Sequence, residues 1–296
     1  MIVLSEASPQ LPLSASSRDI SASTEAARLA QCDVYTIPAD FERCENAENA
    51  LAHIPSRANV TDAIWIGFIP PADRYAAIYD AAIRKNIRLP NTLDEHLNAQ
   101  EFDRAYDRLG NLTPASRVVS TAAEARVAAS EIGYPVFLKG VVQSRKSRGW
   151  KACVAADADE LDVLVGALLS LENRSRGRIA VRQLVSLRHE RVSAQGFPLG
   201  REFRAILWHG VIVGMGYYWE GDDPLKSLSS NEEREVRALA IEAARRLETP
   251  YVAIDIGQTT DGDWIVIESG DAQFSGVSQI PLFGLWHNLR QAADNA

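Results

Sequence analysis

A β-hairpin near the carboxyl end of the chain is the feature that most constrains the fold. Residues 251–273, YVAIDIGQTTDGDWIVIESGDAQ, contain two runs rich in β-branched residues on either side of Asp261-Gly262, a dipeptide typical of hairpin turns. If the turn is centred there, residues equidistant from it face each other, and Asp255 lies opposite Glu268. The other face of the hairpin is predicted to be core, and it carries Ile254, Ile256, Ile265 and Ile267.

Two carboxylates that face each other across a hairpin need a physical reason. The Cβ atoms of opposed residues lie roughly 4.5–5.5 Å apart, and like charges at that distance are destabilising. A cation between Asp255 and Glu268 would remove the repulsion, and hard cations such as Mg²⁺ take oxygen ligands and commonly carry phosphate groups. The alternative is a surface hairpin with two solvated acids, and the hairpin alone does not decide between the two.

Length, composition and charge limit the class of protein. A chain of 296 residues is suited to two or three packed subdomains rather than one small core. A hydrophobic content of 46% and a charged content of 24% are ordinary for a globular protein. The net charge of −8 argues against a general nucleic-acid or anionic-membrane surface, although it leaves room for a local basic pocket.

Cysteine usage and hydropathy predict the compartment. The three cysteines, Cys32, Cys44 and Cys153, lack the spacing of a metal site and are expected to be reduced thiols. The first residues have neither a basic start nor a long apolar run, so no signal peptide is expected. No segment approaches the ~20 apolar residues of a membrane helix. We therefore expect a cytoplasmic protein without membrane partners.

The first part of the chain has the alternation of an α/β domain. Strands are predicted at 2–4, 34–37 and 63–69, and helices at 23–31 and 73–85. A further helix is predicted over 93–109 and ends at Gly110. The segment 111–114 is predicted to be a linker, so a first domain is assigned to residues 1–112.

A lysine-bearing strand and a basic loop follow this boundary. An alanine-rich helix over 121–132 leads to a strand over 134–140 that carries Lys139. The next residues, SRKSRG from 144 to 149, form a flexible loop with cationic and hydroxyl side chains. Such a loop can close over a polyphosphate, while the alternative is a solvated hairpin tip.

The remaining elements lead into the opening hairpin. A strand over 179–185 and a polar segment over 186–200 precede a strand over 201–208, on which Glu202 and Arg204 share a face because alternate strand residues do. A strand over 211–218, a long loop and a helix over 231–247 complete the order.

The ordered set resembles the ATP-grasp superfamily. The motifs YPVFLKG, GREFRAILWHGVIVG, YVAIDIG and DGDWIVIES are similar to the family's in order and spacing over residues 113–280. The loop SRKSRG beside Lys139 resembles a small clade that has a second lysine in the flexible phosphate loop. The resemblance implies an α/β chain, α+β in its ATP-binding part. Residues 1–112 would be a pre-ATP-grasp domain, 113–182 a small lobe with the phosphate loop, and 183–296 a C-terminal lobe with the metal site.

The resemblance also implies ATP and Mg²⁺ as ligands. Lys139 corresponds to the strand lysine that meets the ATP phosphates, and Lys146 to the second lysine. Arg204 corresponds to the arginine of the E-F-R motif near the transferred group, and Asp255 and Glu268 to the magnesium carboxylates. Other nucleotide contacts are expected from Ser144, Ser147, Gln183, Leu184, Val185 and Glu202.

One position departs from the family's pattern. Members usually carry asparagine two residues after the metal glutamate, and here that residue is Gly270. We expect Asp271 to supply the missing oxygen ligand. The Gly/Ser-rich turn over 274–278 is expected to contact the acceptor through backbone groups. Candidates for binding a carboxylate substrate remain open among Arg182, Arg188, Arg191 and Arg201.

The implied reaction is that of an ADP-forming carboxylate–amine ligase. ATP would convert a small-molecule or peptide carboxylate to an acyl phosphate, and an amine would displace the phosphate to give an amide or peptide bond. Lys139 and Arg204 would be the catalytic cations. Two alternatives stay open, a phosphotransferase acting on a hydroxyl and a non-enzymatic ATP-binding module, the latter favoured by Gly270. A homodimer also stays open.

Overall fold

Three four-stranded sheets and one two-stranded hairpin make up the strands in the described part of the computed structural model, residues 1–41 and 44–294. One sheet is parallel and the other two are antiparallel, so the expected mixed α/β class is confirmed.

The first sheet is parallel and buried on both faces. Its elements are β1 (Ile2–Ser5), α1 (Ala15–Leu29), β2 (Asp33–Thr36), α2 (Ala47–Ala50), β3 (Thr61–Ile66), α3 (Ala72–Ile83) and β4 (Ile87–Arg88). The strand order is β2-β1-β3-β4, and every residue of β1 is buried, as expected for a central parallel strand. Helix α1 begins well before the predicted residue 23. Its start is a capping box in which Ser14 and Ser17 satisfy each other's backbone N–H groups.

Two short helices replace the long one predicted over 93–109. They are α4 (Leu93–Gln100) and α5 (Phe102–Leu109), and the prediction of a single helix is wrong. The break is at Glu101, whose backbone is extended and whose buried carboxylate accepts hydrogen bonds from Arg176 and Arg178. The helical periodicity is therefore interrupted by a tertiary ion pair that the local sequence does not reveal.

The second sheet forms a small lobe with helices on one face. Its elements are β5 (Ser116–Val119), α6 (Ala122–Ile132), β6 (Val136–Gly140), β7 (Val154–Ala155), α7 (Ala158–Leu169), α8 (Glu172–Ser175) and β8 (Ile179–Gln183). The strand order is β5-β8-β6-β7. Apolar side chains of α6 and α7 pack on the strands, among them Ala129 and Leu168. Strand β5 was not predicted, because a four-residue strand beside a proline gives little periodic signal.

The third sheet carries the hairpin. Its elements, with a preceding short hairpin, are β9 (His189–Val192), β10 (Pro198–Gly200), β11 (Glu202–Trp208), β12 (Val211–Tyr217), α9 (Ser230–Leu247), β13 (Tyr251–Gln258), β14 (Trp264–Asp271) and α10 (Leu282–Asp294). The strand order is β12-β11-β13-β14, and α9 covers one face through residues such as Val236 and Leu247. The pair β9 and β10 lies in the segment that the sequence described only as polar.

The hairpin confirms the expected opposition of Asp255 and Glu268 but corrects its core face. The two residues are direct partners, and the register then shifts by one, so that Ile256 faces Val266. The shift accompanies a longer turn than the predicted Asp261-Gly262 pair, since β13 ends at Gln258 and β14 begins at Trp264. A one-residue shift exchanges the faces of a strand. Val266 is therefore fully buried, whereas Ile265 and Ile267 are only half-buried.

The first and third sheets share one hydrophobic core. Val3 and Ile64 of the parallel sheet lie in the same buried cluster as Trp208, Tyr251 and, on α10, Trp286. The domain limits at 112 and 182 stay predictions. Among the described helices, none is both long enough and apolar enough to cross a membrane.

Candidate functional site

A row of charged side chains crosses three strands of the third sheet. Arg204 on β11 is the register partner of Asp255 on β13, and Asp255 is the partner of Glu268 on β14. Glu202 lies on the same face as Arg204, because the two are separated by one residue of a strand. Farther along this face, residues such as Ile206 and Tyr251 belong to the core shared with the first sheet. The charged row thus begins where that core ends.

Arg204 and Asp255 form a bidentate ion pair. The Arg204 Nε and Nη2 atoms donate to Asp255 Oδ1 and Oδ2, each at 2.7 Å. The third guanidinium nitrogen donates to the Gly276 carbonyl. The ring of Tyr218 lies 4.8 Å from the guanidinium carbon, a cation–π distance. Both charged side chains are nearly buried, so the pair is fixed in position and weakly screened.

Lys139 and Glu268 join the small lobe to the third sheet. Lys139 Nζ, on β6, donates to Glu268 Oε1, on β14. Burial alone would raise the pKa of Glu268, but Lys139 and Lys146 outweigh it and hold that pKa at about 2. Burial lowers the pKa of Lys139 below its usual value, and the pairing with Glu268 acts in the opposite direction. Arg182, beside this pair, donates to the Ile267 carbonyl at 2.9 Å.

Glu202 and Lys146 complete the charged cluster. Glu202 is 2% exposed; its Oε1 accepts a hydrogen bond from Trp219 at 3.2 Å, and its Oε2 has no partner among the described residues. Burial raises the pKa of Glu202 to about 7, against the opposing charge of Lys146. The Lys146 ammonium lies 4.9 Å from the ring centre of Tyr218 and 5.3 Å from that of Trp219. Four cations and three carboxylates therefore converge here.

A cavity of about 320 Å³ lies beside this cluster. Its size is within the range of pockets for small organic ligands. Most of the residues expected to contact a nucleotide line it, namely Lys139, Ser144, Lys146, Gln183, Leu184, Val185, Glu202 and Glu268. Apolar and aromatic walls are supplied by Phe137, Trp150, Leu187, Phe197, Pro198 and Ile267. A slot with apolar walls and cations at one end has the chemistry to hold a flat heterocycle joined to a polyanion.

The basic loop is packed against the third sheet's short hairpin. Gly149 has a φ of +90°, and a Cβ at that position would lie 2.0 Å from the Gln195 carbonyl oxygen, so only glycine allows this approach. The Trp150 and Phe197 rings are 6.0 Å apart, and the Phe197 and Trp219 rings 6.1 Å. Ser147 is exposed and does not line the cavity, in contrast to Ser144.

The structure does not bring Asp271 to the charged row. Strand alternation turns it to the face covered by α4, where its fully buried carboxylate accepts from the Gln273 backbone N–H at 3.0 Å and contacts His96 Nδ1 at 2.9 Å. The expectation that Asp271 replaces the asparagine ligand is therefore corrected. Its oxygens are occupied on the wrong face of the sheet.

The residues that remain fit a magnesium ion of the kind that phosphate ligands complete. In residues 1–41 and 44–294, no three His, Cys, Asp or Glu side chains are grouped closely enough to hold a metal by themselves. Asp255 and Glu268 are opposed oxygen donors beside a cavity lined with cations. Mg²⁺ commonly binds to one or two carboxylates and takes its other ligands from water and phosphates. The donor set therefore suits magnesium that arrives with a nucleotide.

Three contributions to the site were missed by the sequence analysis. Tyr218 and Trp219 hold Lys146 and Arg204 by their ring faces, but a strand-end aromatic pair has no distinctive spacing. Arg182 was one of four candidate arginines, and of these four it alone lines the cavity. Its signal was available, because Arg182 follows the fully buried run 179–181 and had to face the protein interior.

Family and structural comparisons agree with this geometry. A family model for an ATP-grasp domain, described as family 3 of its clade, matches residues 129–289, which is more than half of the chain. No curated protein matches the sequence.

Solved structures of the same fold cover almost the whole chain at low identity. The RimK domain ATP-grasp protein of Sphaerobacter thermophilus is 17% identical with a TM-score of 0.62, covering 99% of this chain and 98% of its own. The D-alanine–D-alanine ligase of Bacillus anthracis, complexed with ATP, is 10% identical with a TM-score of 0.67, covering 99% and 97%. A D-cycloserine synthetase is 15% identical with a TM-score of 0.61, covering 99% of each chain. At these identities, the likeness shows the fold alone.

Proposed function

The chain belongs to the ATP-grasp domain family whose model it matches, and from that membership we propose that it is an ADP-forming carboxylate–amine ligase. The observation that carries the proposal is the in-register row of Arg204, Asp255 and Glu268 beside a cavity that Lys139 and Lys146 line. This row combines oxygen donors for a metal with cations for a phosphate that is being transferred.

In this proposal the nucleotide occupies the 320 Å³ cavity. The apolar walls and the backbone of residues 183–185 hold the base, and the cations face the triphosphate. A triphosphate carries about four negative charges, and its transfer requires compensation more than covalent help. Because Arg204 and Lys139 pair with Asp255 and Glu268 when no nucleotide is bound, binding exchanges these partners. The carboxylates then hold metal and the cations hold phosphate.

The proposed chemistry has two displacements. A substrate carboxylate oxygen attacks the γ-phosphorus of ATP, the bond to the β-phosphate oxygen breaks, and ADP leaves. An amine nitrogen then attacks the acyl carbon; the C–N bond forms, the C–O bond to phosphate breaks, and the nitrogen releases its proton to solvent. Arg204 and Lys139 stabilise charge on the transferred group, and Asp255 and Glu268 hold the metal and need not take protons. Magnesium held there would neutralise phosphate charge.

The packed basic loop gives the reaction its protection from water. An acyl phosphate is hydrolysed if water reaches it, so a site of this kind closes before the chemistry. The contacts of Gly149 with Gln195 and of Trp150 with Phe197 support a role for this loop as the cover of the cavity.

The test is a substrate panel with two readouts. The chain is incubated with ATP, Mg²⁺ and pairs of carboxylic acids and amines, and both ADP and the mass of the product are measured. Hydroxylamine is added in parallel, since it traps acyl phosphates as hydroxamates without a specific amine. Lys139→Met should abolish both signals, whereas Lys151→Met, an exposed lysine just beyond the loop, should retain them.

The outcomes separate the proposal from its alternatives. Condensed product with ADP supports the ligase. Phosphate added to a substrate without condensation indicates a phosphotransferase, and tight ATP binding without ADP or hydroxamate for any acid indicates a non-enzymatic module. Either of these results overturns the proposal.

A further inference from the structure

A second cavity lies on the other side of Arg204 from the nucleotide cavity. It is enclosed by α1, the end of β3 and the segment 272–277 that follows β14. Its volume is about 90 Å³, less than a third of that of the first cavity, so it has room for a small group and not for a second nucleotide. Gln143, which directly precedes the basic loop, also lines it. The two cavities therefore meet near the charged row.

Asp19 is the one charged residue among the described residues that line this cavity. It is half-buried, and within residues 1–41 and 44–294 its carboxylate accepts no hydrogen bond and forms no ion pair. Its Oδ2 lies 2.8 Å from the point that a Cβ on Gly276 would occupy, and Arg204 Nη1 lies 3.6 Å from the same point. Asp19 and Arg204 therefore flank Gly276. Burial raises the pKa of Asp19, as an unpaired carboxylate in such a position requires.

The rest of the cavity wall is largely apolar. Ile20, Ile66, Phe68 and Val277 contribute to it, while the nearby hydroxyls and amides are neutral. A carboxylate ligand would be repelled by Asp19, and an uncharged ligand would leave that carboxylate without a partner. A compact primary amine answers both features, because its ammonium pairs with the carboxylate and its carbon atoms contact the apolar wall.

We propose that this cavity binds the amine substrate as a compact primary ammonium ion whose charged group is held by Asp19. The proposal rests on the proposed ligase function and adds to it the location and class of the acceptor. Arg204 joins the two cavities through the Gly276 carbonyl, so an amine seated here is adjacent to the group that the nucleotide activates. The small volume limits the acceptor to short substituents on the amine-bearing carbon.

The probe is ethylammonium in competition with hydroxylamine. Hydroxylamine is uncharged at neutral pH and does not need Asp19, so ATP- and acid-dependent hydroxamate formation reports the activation step alone. In the wild-type chain, ethylammonium should lower hydroxamate formation by occupying the cavity or by becoming an amide. Benzylammonium should need about tenfold more, because its ring exceeds the space beside Asp19.

Two variants and one matched control test the role of Asp19. Asp19→Asn should need about tenfold or more ethylammonium for the same competition, the loss expected when a charge-assisted hydrogen bond is removed. Ser16→Lys, at an exposed position one turn earlier on α1, should have the same effect by pairing its own ammonium with Asp19. Glu25→Gln removes an exposed carboxylate of the same helix that pairs with Arg28, and should change nothing.

Hydroxamate formation without ethylammonium separates the two proposals. It should be unchanged in all three variants, because none of them alters the nucleotide cavity. If the wild type forms no hydroxamate with any acid, the ligase function fails. If hydroxamate forms normally but competition by ethylammonium is the same in the wild type, Asp19→Asn and Ser16→Lys, the ligase stands and the amine site is overturned.

Discussion

Glu268 and Asp271 are three residues apart on β14, and the strand turns them to opposite faces of the sheet. Glu268 faces the nucleotide cavity and pairs with Lys139 of the small lobe. Asp271 faces α4, where His96 and Gln273 satisfy its oxygens and its side chain is 0% exposed. The partner of Glu268 can be exchanged for a ligand, whereas the partners of Asp271 are built into the fold. A carboxylate near a metal motif therefore acts as a ligand only if strand alternation gives it the right face.

The largest effect is expected for Asp255→Asn, which removes half of the carboxylate pair opposite Glu268. Turnover should fall on the order of 10²–10³-fold, as when one preorganised electrostatic group is removed from an active site. ADP release with the best substrate pair measures it. Asp263→Asn, an exposed aspartate in the turn of the same hairpin, is the matched control and should retain activity.

The same variant separates catalysis from stability. Asp255→Asn leaves a nearly buried Arg204 without its ion-pair partner, so the free energy of unfolding should drop by roughly 3–5 kcal/mol. Adding Arg204→Gln should recover much of that loss in urea unfolding without restoring turnover. Recovery of turnover in the double variant would contradict the assignment of both residues to the site.

Asp271→Asn should behave in the opposite way. It weakens the hydrogen bonds to His96 and Gln273, so the free energy of unfolding should fall by roughly 1–3 kcal/mol. The Mg²⁺ concentration required for turnover should not change, since Asp271 is not at the metal site. Urea unfolding and a magnesium titration measure the two quantities. A large rise in the magnesium requirement would return Asp271 to the ligand set.

A smaller, pH-dependent effect is expected for Glu202→Gln. Burial raises the pKa of Glu202 from 4.5 to about 7, so between these values the folded chain holds a proton that the unfolded chain has lost. Stability therefore falls as the pH rises through this window. The variant lacks this proton, so its free energy of unfolding should increase relative to wild type between pH 4.5 and pH 7. Parallel pH profiles of urea unfolding would contradict the assignment.

The smallest effects distinguish two serines of the basic loop. Ser144→Ala should raise the KM for ATP by a few-fold, about the worth of one hydrogen bond, because Ser144 lines the cavity. Ser147→Ala should have no measurable effect, because Ser147 is exposed and does not line the cavity. Equal effects of the two substitutions would show that the loop binds nucleotide in a different arrangement.

Much of the fold follows from local pattern, and the exceptions have identifiable physical causes. The opposition of Asp255 and Glu268 could be predicted because a turn signal and β-branched runs define a register. The core face beyond it could not, because a longer turn and a one-residue register shift exchange Val266 for Ile265 and Ile267.

The site itself divides in the same way. Charged residues on regular strands, such as Lys139 and Arg204, could be predicted because strand alternation and the family's order locate them. Tyr218 and Trp219 could not be predicted, because their contact with Lys146 brings together parts of the chain about 70 residues apart, and local pattern carries no information on such contacts. The same limit explains Asp271, whose partner His96 comes from a distant part of the chain.

A magnesium titration of ATP turnover in Glu268→Gln, with Asp271→Asn beside it, tests the central claim most directly. If Glu268 faces the nucleotide and holds its metal, Glu268→Gln loses magnesium-dependent turnover while Asp271→Asn follows the wild-type titration. Normal turnover in Glu268→Gln at ordinary magnesium concentrations, or loss of magnesium dependence only in Asp271→Asn, would contradict the account.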